Sequence, residues 1–200
     1  MITIVDYGIG NLASVANMLH KNGHESQLTK NEATILSSSK LILPGVGAFD
    51  TAMRTLHDLN LITCIKQYAA TGKPLLGICL GAQLLMNSSE EGQLPGLGLV
   101  KGTCKHFGDI RPLRVPHMNW AEVTFTSRHP LFHFNDAEPR FYFTHSYHIV
   151  CEDESDVAGT AVYGKTFTCA VQHNNVFGVQ FHPEKSHRFG AQLLQNFASL

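Results

Sequence analysis

Residues 77–81, Gly-Ile-Cys-Leu-Gly, constrain the fold most strongly because they place a cysteine between two glycines at a predicted strand-to-helix corner. The apolar residues 74–76 before this corner predict a buried strand, and residues 81–86 after it predict the first turns of a helix. Such a corner is the thiol counterpart of the G-x-S-x-G elbow, and the helix N-terminus favours a thiolate. We therefore predict that Cys79 is a nucleophile; the alternative is an ordinary buried cysteine.

The composition limits the classes of function that need to be considered. The chain has 200 residues, of which 44% are hydrophobic and 16% are charged, as in an ordinary globular protein. This length predicts one domain, residues 1–200, with a well-buried core. A formal net charge of -1 gives no electrostatic support for binding nucleic acid or an anionic membrane surface.

The cysteines and histidines indicate where the protein is located and whether it binds a metal. The five cysteines are an odd number without a C-x-x-C pair, which argues against a disulfide framework and a structural zinc site. The twelve histidines are scattered along the chain, and we predict neither a metal site nor a cofactor. Residues 1–6 lack a basic lead and a small-residue cleavage site. Together these features predict a cytoplasmic protein without a signal peptide or a membrane-spanning helix.

The pattern along the chain predicts the fold class. The first hundred residues alternate strand and helix patterns, with strands at 2–5, 25–29, 40–43 and 74–76, a helix from residue 12, and helical residues 50–70 with a break near Asn60. The second half has short β-like segments at 122–125, 140–144, 157–163, 167–171 and 176–181, a hairpin turn at Asn174-Asn175, and a final helix at 187–197. We predict an α/β fold with three layers, in which helices flank a mixed, mostly parallel central sheet.

Two glycine-rich loops follow predicted strands. The G-x-G at residues 8–10 lacks the third glycine of a dinucleotide fingerprint, so that interpretation is weak. Residues 44–47, Pro-Gly-Val-Gly, follow the third strand, at the edge where open α/β sheets bind ligands. Their backbone N–H groups could stabilise an oxyanion, but taken on its own the loop is better explained as a tight β-to-α turn.

A nucleophilic cysteine needs a base, and residues 180–184, Gln-Phe-His-Pro-Glu, supply the best candidate. The last apolar strand ends at His182, and Pro183 turns the chain because it cannot continue the strand pairing. Glu184 is then close enough to accept a hydrogen bond from the imidazole and fix its tautomer. The alternative is a turn that only terminates the strand.

Motifs along the whole chain resemble one family. Residues 77–83 and 180–184 are similar to the class I glutamine amidotransferases, in which a Cys-His-Glu triad hydrolyses glutamine. The resemblance runs from end to end without an appended domain, and it implies the flavodoxin-like fold of that family. Further segments resemble the branch formed by glutaminase subunits of imidazole glycerol phosphate synthases: 6–12, 44–47, 115–120, 142–147 and 182–186.

The resemblance implies a role for each matched residue. Cys79 attacks the glutamine amide, His182 carries the proton to the leaving ammonia, Glu184 orients His182, and water hydrolyses the thioester to glutamate. The oxyanion would be stabilised by backbone N–H groups of Leu80 and of the loop Gly45, Val46 and Gly47. Glutamine would be held by Gln83 and by the backbone around His145, Ser146 and Tyr147.

The resemblance also implies a partner. In this branch, ammonia passes to a (β/α)8 cyclase subunit that forms a heterodimer with the glutaminase in histidine biosynthesis. The oxyanion loop is thought to reorient when the partner is occupied, so that the glutaminase alone is nearly idle. The residues that match interface or gate positions are Asn11, Trp120, Tyr142 and Lys185. Taken alone, they would be a helix cap, two core aromatics and a solvated lysine.

One motif departs from this branch. Its usual Pro-His-Met-Gly-Trp-Asn is replaced here by Pro-His-Met followed by Asn119, Trp120 and Ala121. Asparagine tolerates left-handed backbone, so the turn can survive, but the partner contacts are left open. The alternative is a paralogous glutaminase that supplies ammonia to an amidino-sugar synthetase of surface polysaccharide biosynthesis. A stand-alone Cys-His hydrolase and a catalytically inactive binding module fit these motifs less well.

Overall fold

The computed structural model describes residues 1–134 and 138–200, and over these ranges the chain forms twelve strands and six α-helices. The strands are β1 (Ile2–Val5), β2 (Ser26–Thr29), β3 (Lys40–Gly45), β4 (Leu75–Cys79), β5 (Ser88–Ser89), β6 (Gly102–His106), β7 (His117–Phe125), β8 (Arg140–His145), β9 (Tyr147–Cys151), β10 (Val157–Tyr163), β11 (Lys165–His173) and β12 (Val176–Val179). The helices are α1 (Leu12–Lys21), α2 (Glu32–Ser37), α3 (Phe49–Asp58), α4 (Leu61–Ala70), α5 (Leu80–Leu84) and α6 (His187–Ser199).

The strands form one mixed sheet with two differently built halves. In the order β2-β1-β3-β4-β12, every neighbouring pair is parallel. From β12 the sheet continues through β11, β10, β7 and β8, and each of these pairs is antiparallel. A branch leaves β11 through β9 and β6 to the short strand β5. The predicted α/β fold with a mixed sheet and a β-rich second half is confirmed.

Two apolar clusters lie on opposite faces of the parallel strands. Alternate residues of a strand point to opposite faces, and Ile4 and Val5 accordingly belong to different clusters. The cluster around Ile4 includes Leu19 of α1 and Leu194 of α6, whereas the one around Val5 includes residues of α2 to α5. The sheet is therefore the middle of three layers.

Local sequence signals account for the predicted boundaries. The break in the long helical segment lies at Asn60, which has a left-handed φ of 57° between α3 and α4. The hairpin at Asn174-Asn175 joins β11 to β12, with His173 paired to Val176. In the described residues, no helix combines the length and the hydropathy needed to cross a membrane.

Four elements were not predicted, namely α2, β6, β9 and the two-residue strand β5. Helix α2 has six residues and buries only Ile35, so it lacks a repeated apolar stripe. Its cap is visible in the sequence in retrospect, since the Asn31 side chain accepts from the N–H of Thr34 at 3.0 Å. Strands β6 and β9 pair with each other across more than forty residues of chain, a register that local patterns do not carry.

Candidate active site

The Cys79 elbow depends on the close approach of α5 to the ends of β3 and β4. Cys79 has a φ of 54°, and α5 begins at the next residue. A non-glycine residue in this region carries backbone strain of about 1–3 kcal/mol, as at other functional sites. A Cβ at Gly77 would lie 2.7 Å from the carbonyl oxygen of Gly81, and a Cβ at Gly81 would overlap the carbonyl oxygen of Leu43. Both glycines are thus required by packing.

His182 and Glu184 reach the same edge of the sheet as Cys79. Strand β12 runs parallel to β4, so both strands end on one side, and His182 follows β12. The His182 Nδ1 atom lies 2.9 Å from Oε1 of Glu184, and both side chains are 2% exposed. Because a carboxylate only accepts, Nδ1 carries a proton and donates it to Glu184. The structure therefore brings the three predicted triad residues together.

The charge state of His182 is set by opposing influences. Burial, the strongest of them, lowers its pKa, but Cys79 and Glu184 together outweigh burial and raise the pKa to about 10. Cys79 raises this pKa through a side-chain hydrogen bond to the imidazole and, to a smaller extent, through its charge, and within the described residues Nε2 of His182 has no other partner. This balance favours the imidazolium form of His182 beside the Cys79 sulfur.

A hydroxyl fixes the turn that carries His182. The Ser186 hydroxyl donates to the carbonyl oxygen of His182 at 2.6 Å and accepts from the N–H of Tyr142 at 3.0 Å. The N–H of His182 in turn donates to the carbonyl oxygen of Tyr142 at 3.0 Å. Ser186 is fully buried, so water does not compete for these bonds. The base is thereby held between β12 and β8.

A cavity of about 400 Å³ opens above the elbow. This volume lies within the range that suits a small-molecule ligand. Ten of the predicted site residues line it: Val46, Gly47, Cys79, Leu80, Gln83, His145, Ser146, Tyr147, His182 and Lys185.

The loop after β3 lies directly beside the nucleophile. Gly45 pairs in register with Cys79, and a Cβ at Gly45 would lie 2.7 Å from the backbone nitrogen of Gly81. Gly45 therefore supports the elbow by close packing, while Val46 and Gly47 form part of the cavity wall. Gly47 has a φ of 96°, a conformation that glycine adopts most readily.

A comparison with protein-family models decides the family. The model of class-I glutamine amidotransferases matches residues 3–199. The chain belongs to this family.

Individual relatives narrow the position within the family. The chain is 50% identical to imidazole glycerol phosphate synthase subunit HisH of Sulfurimonas denitrificans, over 98% of this chain and 97% of that protein. It is 46% identical to subunit HisH 2 of Methanococcus maripaludis, over 98% of each chain. It is 45% identical to subunit HisH 2 of Pseudomonas aeruginosa, over the full length of both. Among the amidotransferases, this chain groups with the HisH subunits.

Solved structures show the same fold at low sequence identity. One described as a glutamine amidotransferase superposes with a TM-score of 0.76 at 16% identity, covering 100% of this chain and 99% of that one. The structure of PurLQS from Thermotoga maritima superposes with a TM-score of 0.75 at 21% identity, covering 99% of this chain and 97% of that one. The predicted amidotransferase fold is confirmed.

Five residues that contact this site were not predicted, namely Glu91, Pro116 and Thr144 of the cavity wall, together with Gln180 and Tyr7. Glu91 lies on the cavity wall, and its Oε2 accepts from the N–H of Phe49 at 3.0 Å, at the start of α3. Gln180 donates from Nε2 to the Cys79 sulfur at 3.8 Å. Tyr7 donates to the carbonyl oxygen of Pro44 at 2.7 Å, behind the oxyanion loop. Gln180 and Tyr7 fall within motifs already singled out, whereas Glu91 lies in a loop without a pattern.

A pair of buried histidines, His145 on the cavity wall and His117 behind it, lies in the antiparallel half. His145 donates from Nδ1 to the carbonyl oxygen of Tyr147 at 2.7 Å, so its Nε2 accepts from Nδ1 of His117 at 3.2 Å. Burial lowers the pKa of His145 to about 3 and the pKa of His117 to about 4. Both rings are therefore neutral at neutral pH, in contrast to His182.

Of the predicted gate residues, only Lys185 lines the cavity, and the others lie around it. The Trp120 ring centroid lies 6.2 Å from that of Tyr142, and the Lys185 ammonium lies 5.8 Å from the Tyr142 ring centroid. Trp120 and Tyr142 are half-buried, so the interpretation as core aromatics is wrong. Asn11 precedes α1, which packs against the turn that carries Lys185. Asn11 occupies the N-cap position of α1, as the helix-cap interpretation expects, but its side chain makes no capping hydrogen bond.

The chain shows five free thiols, and only Cys79 of them lines the cavity. Over residues 1–134 and 138–200, no group of three or more His, Cys, Asp or Glu side chains is arranged to hold a metal ion.

Proposed function

We propose that this chain is the glutaminase subunit of an imidazole glycerol phosphate synthase, with residues 1–200 acting as one amidotransferase domain. The observation that carries the proposal is that Cys79 and His182 line a single cavity, with Glu184 bonded to His182 behind it. Similarity to HisH subunits over the whole chain supports it. The free thiols favour a reducing compartment, the cytoplasm, as its location.

The proposed reaction begins with the attack of the Cys79 thiolate on the side-chain amide of glutamine. The C–S bond forms, and His182 then gives its proton to the amide nitrogen, which leaves as ammonia. Glu184 holds the imidazole in the required orientation through Nδ1. In the second half, His182 takes a proton from water, which hydrolyses the thioester and releases glutamate.

The negative oxygen of each tetrahedral intermediate needs hydrogen-bond donors. The backbone N–H of Leu80, at the start of α5, is one candidate, and an N–H of the loop Gly45, Val46 and Gly47 is the second. One such donor is worth about a hundredfold or more in rate. A reorientation of this loop is therefore sufficient to switch the glutaminase between idle and active states.

The α-ammonium and α-carboxylate groups of glutamine carry opposite charges and therefore need different partners. Glu91 offers a carboxylate on the cavity wall for the α-ammonium group. Gln83 and the backbone of His145, Ser146 and Tyr147 line the cavity and would hold the rest of the glutamine. This assignment gives every predicted substrate-binding residue a place in the same cavity.

The partner in this proposal is a (β/α)8 cyclase subunit, which forms a heterodimer with this chain and receives the ammonia. The surface it would cover carries Trp120, Tyr142 and Lys185 at the side of the cavity, with Asn11 nearby. Trp120 stacks on His187 at 5.4 Å between ring centroids and is only partly buried, which leaves aromatic surface for a partner.

One observation favours a second candidate. Asn119 uses its side-chain oxygen to accept from the N–H of Trp120 at 2.8 Å, and Met118 beside it is 60% exposed. With Ala121, these residues give the partner-facing strand a surface that differs from the usual branch motif. A paralogous glutaminase that supplies an amidino-sugar synthetase therefore stays the alternative.

The test is glutamate release from glutamine by the purified chain, alone and with the candidate cyclase and its ribulosyl aminoimidazole-carboxamide substrate. Very low glutamate release by the chain alone, followed by strong activation when the cyclase and its substrate are added, would support the partner-gated glutaminase. Silence in both conditions, with activity restored by an amidino-sugar synthetase, would favour the second candidate. Strong activity of the isolated chain would contradict partner gating.

A further inference from the structure

We infer that Gln180 is a positioning residue that donates a hydrogen bond to the sulfur of Cys79 and holds it as the reactive thiolate. This inference rests on the proposed role of Cys79 as the nucleophile. Gln180 is fully buried immediately beyond β12, two residues before His182. Its Nε2 atom lies 3.8 Å from the Cys79 sulfur.

The direction of the Gln180 amide follows from its neighbours. The carbonyl oxygen of Tyr147 can only accept, and it lies 3.1 Å from Nε2 of Gln83, which fixes the amide orientation of Gln83. The same Nε2 donates its second hydrogen to Oε1 of Gln180 at 2.9 Å. Gln180 must therefore present its own NH2 group to Cys79.

The chain of donors extends one step further. His145 also donates to the carbonyl oxygen of Tyr147, at 2.7 Å, so this oxygen accepts two hydrogen bonds. A reversed Gln83 amide would place its oxygen against the carbonyl oxygen of Tyr147. It would also leave Oε1 of Gln180 without a hydrogen bond to accept. The orientation at the sulfur is thus enforced from the antiparallel half of the sheet, through one backbone carbonyl and two amides.

The chemical consequence concerns the protonation state of the sulfur. A thiolate accepts hydrogen bonds more strongly than a thiol, so a fixed N–H donor favours the charged form. The ionisable groups around Cys79 are His182, which favours the thiolate, and Tyr7, a phenol whose pKa is raised by burial and by Cys79. Glu91 and Lys185 line the same cavity, and their opposite charges are unchanged by the variants tested below. Glu184 and His145 act through His182.

Gln180 also has a structural role, and the experiment must separate this role from the positioning of the thiolate. Its backbone N–H donates to the carbonyl oxygen of Cys169 at 2.8 Å, a contact that any residue would make. If the side chain only filled space, its replacement would lower stability without changing the reactivity of Cys79. If it positions the thiolate, the pH dependence of that reactivity must change.

The experiment is the rate of alkylation of Cys79 by iodoacetamide as a function of pH, on the full chain without a partner, with the adduct identified by peptide mass. Gln180→Glu keeps the shape and replaces the donor by an acceptor, and Gln180→Leu removes both. We expect the midpoint of the profile to move up by about one pH unit in Gln180→Leu and further in Gln180→Glu.

A matched control is Gln172→Leu, because Gln172 is a glutamine of β11 whose side chain bonds Ser127 rather than a site residue. Its profile should coincide with that of the unmodified chain. An unchanged midpoint in a folded Gln180→Glu variant would overturn the inference, even if Gln180→Leu failed to fold. Failure of iodoacetamide to modify Cys79 in the unmodified chain would contradict the proposed function itself, and with it this inference.

Discussion

The parallel and antiparallel halves of the sheet contribute different chemistry to the same cavity. The parallel strands contribute their ends, namely the Cys79 elbow, the loop at Gly45 and the turn that begins at His182. These groups are positioned by backbone geometry and by close packing at glycines. The antiparallel strands contribute side chains and carbonyl groups, including His145 and the carbonyl oxygen of Tyr147. The first set of groups is thus positioned by local turns, and the second by pairing between distant strands.

Two buried histidines show the same contrast in their protonation. His182 has a pKa raised to about 10, although burial opposes its charge, because Cys79 and Glu184 outweigh burial. His145 has a pKa lowered to about 3 by burial, and its neighbours are a backbone carbonyl and the neutral His117. Burial alone therefore does not decide the charge; a neighbouring carboxylate or thiolate does.

The largest expected effect comes from the parallel half. Cys79→Ala should lower glutamine-dependent turnover with the cyclase by at least about 10⁴-fold, because no other group can form the thioester. Ammonia-dependent synthesis by the complex should persist, and both rates are followed in the same assay. The control is Cys151→Ala, a half-buried thiol outside the cavity, which should keep both activities. Retention of glutamine-dependent turnover in Cys79→Ala would remove Cys79 from the mechanism.

A smaller loss is expected when the orientation of the base is disturbed. Glu184→Gln keeps the shape but removes the charge that holds Nδ1–H of His182, and glutaminase kcat should fall by about 10²–10⁴-fold. The pKa of His182 should also fall, which imidazole proton NMR can follow. An unchanged His182 pKa would show that Cys79 alone sets the charge of the base.

More of the parallel half of the site than of the antiparallel half could be predicted from the sequence. The glycines around Cys79, the Pro-Gly-Val-Gly loop and the His-Pro-Glu turn are short motifs, and their residues meet at the cavity as expected. The pairing of β6 with β9, and hence the position of the Tyr147 carbonyl, depends on register between distant segments. Glu91 escaped prediction because its contact with α3 comes from a loop without periodicity. Gln180 was visible in a motif, but its direction follows only from the three-dimensional network.

His182 and the pair His145 and His117 should act on stability in opposite pH ranges. Because the pKa of His145 and of His117 is lowered on folding, their contribution is present above about pH 6.5 and is lost as the pH falls toward 4 and below. The pKa of His182 is raised on folding, so its contribution is full below about pH 6.5 and is lost as the pH rises toward 10.

Urea unfolding at pH values from 4 to 10 tests this opposition. His117→Phe preserves the ring stacking with Phe143 and Tyr163, at 4.9 Å and 4.0 Å between centroids, and should lose less stability on acidification than the unmodified chain. His182→Gln should lose less stability between pH 6.5 and 10. Parallel curves for either variant would show that the substituted ring does not titrate differently on folding.

The smallest expected effect lies at the junction of the two halves of the sheet, where β11 turns into β12. Asn174, in the turn from β11 to β12, has a left-handed φ of 53°, a conformation that costs alanine about 1 kcal/mol. Asn174→Ala should therefore lower the free energy of unfolding by about 1 kcal/mol, whereas Asn174→Gly should change it by a few tenths at most. Since this turn lies at the end of β12 opposite His182, kcat/KM of both variants should equal that of the unmodified chain. A loss of activity in Asn174→Ala at unchanged stability would mean that strain in this turn reaches His182 through β12. The two halves of the sheet would then be less independent than their different chemistry indicates.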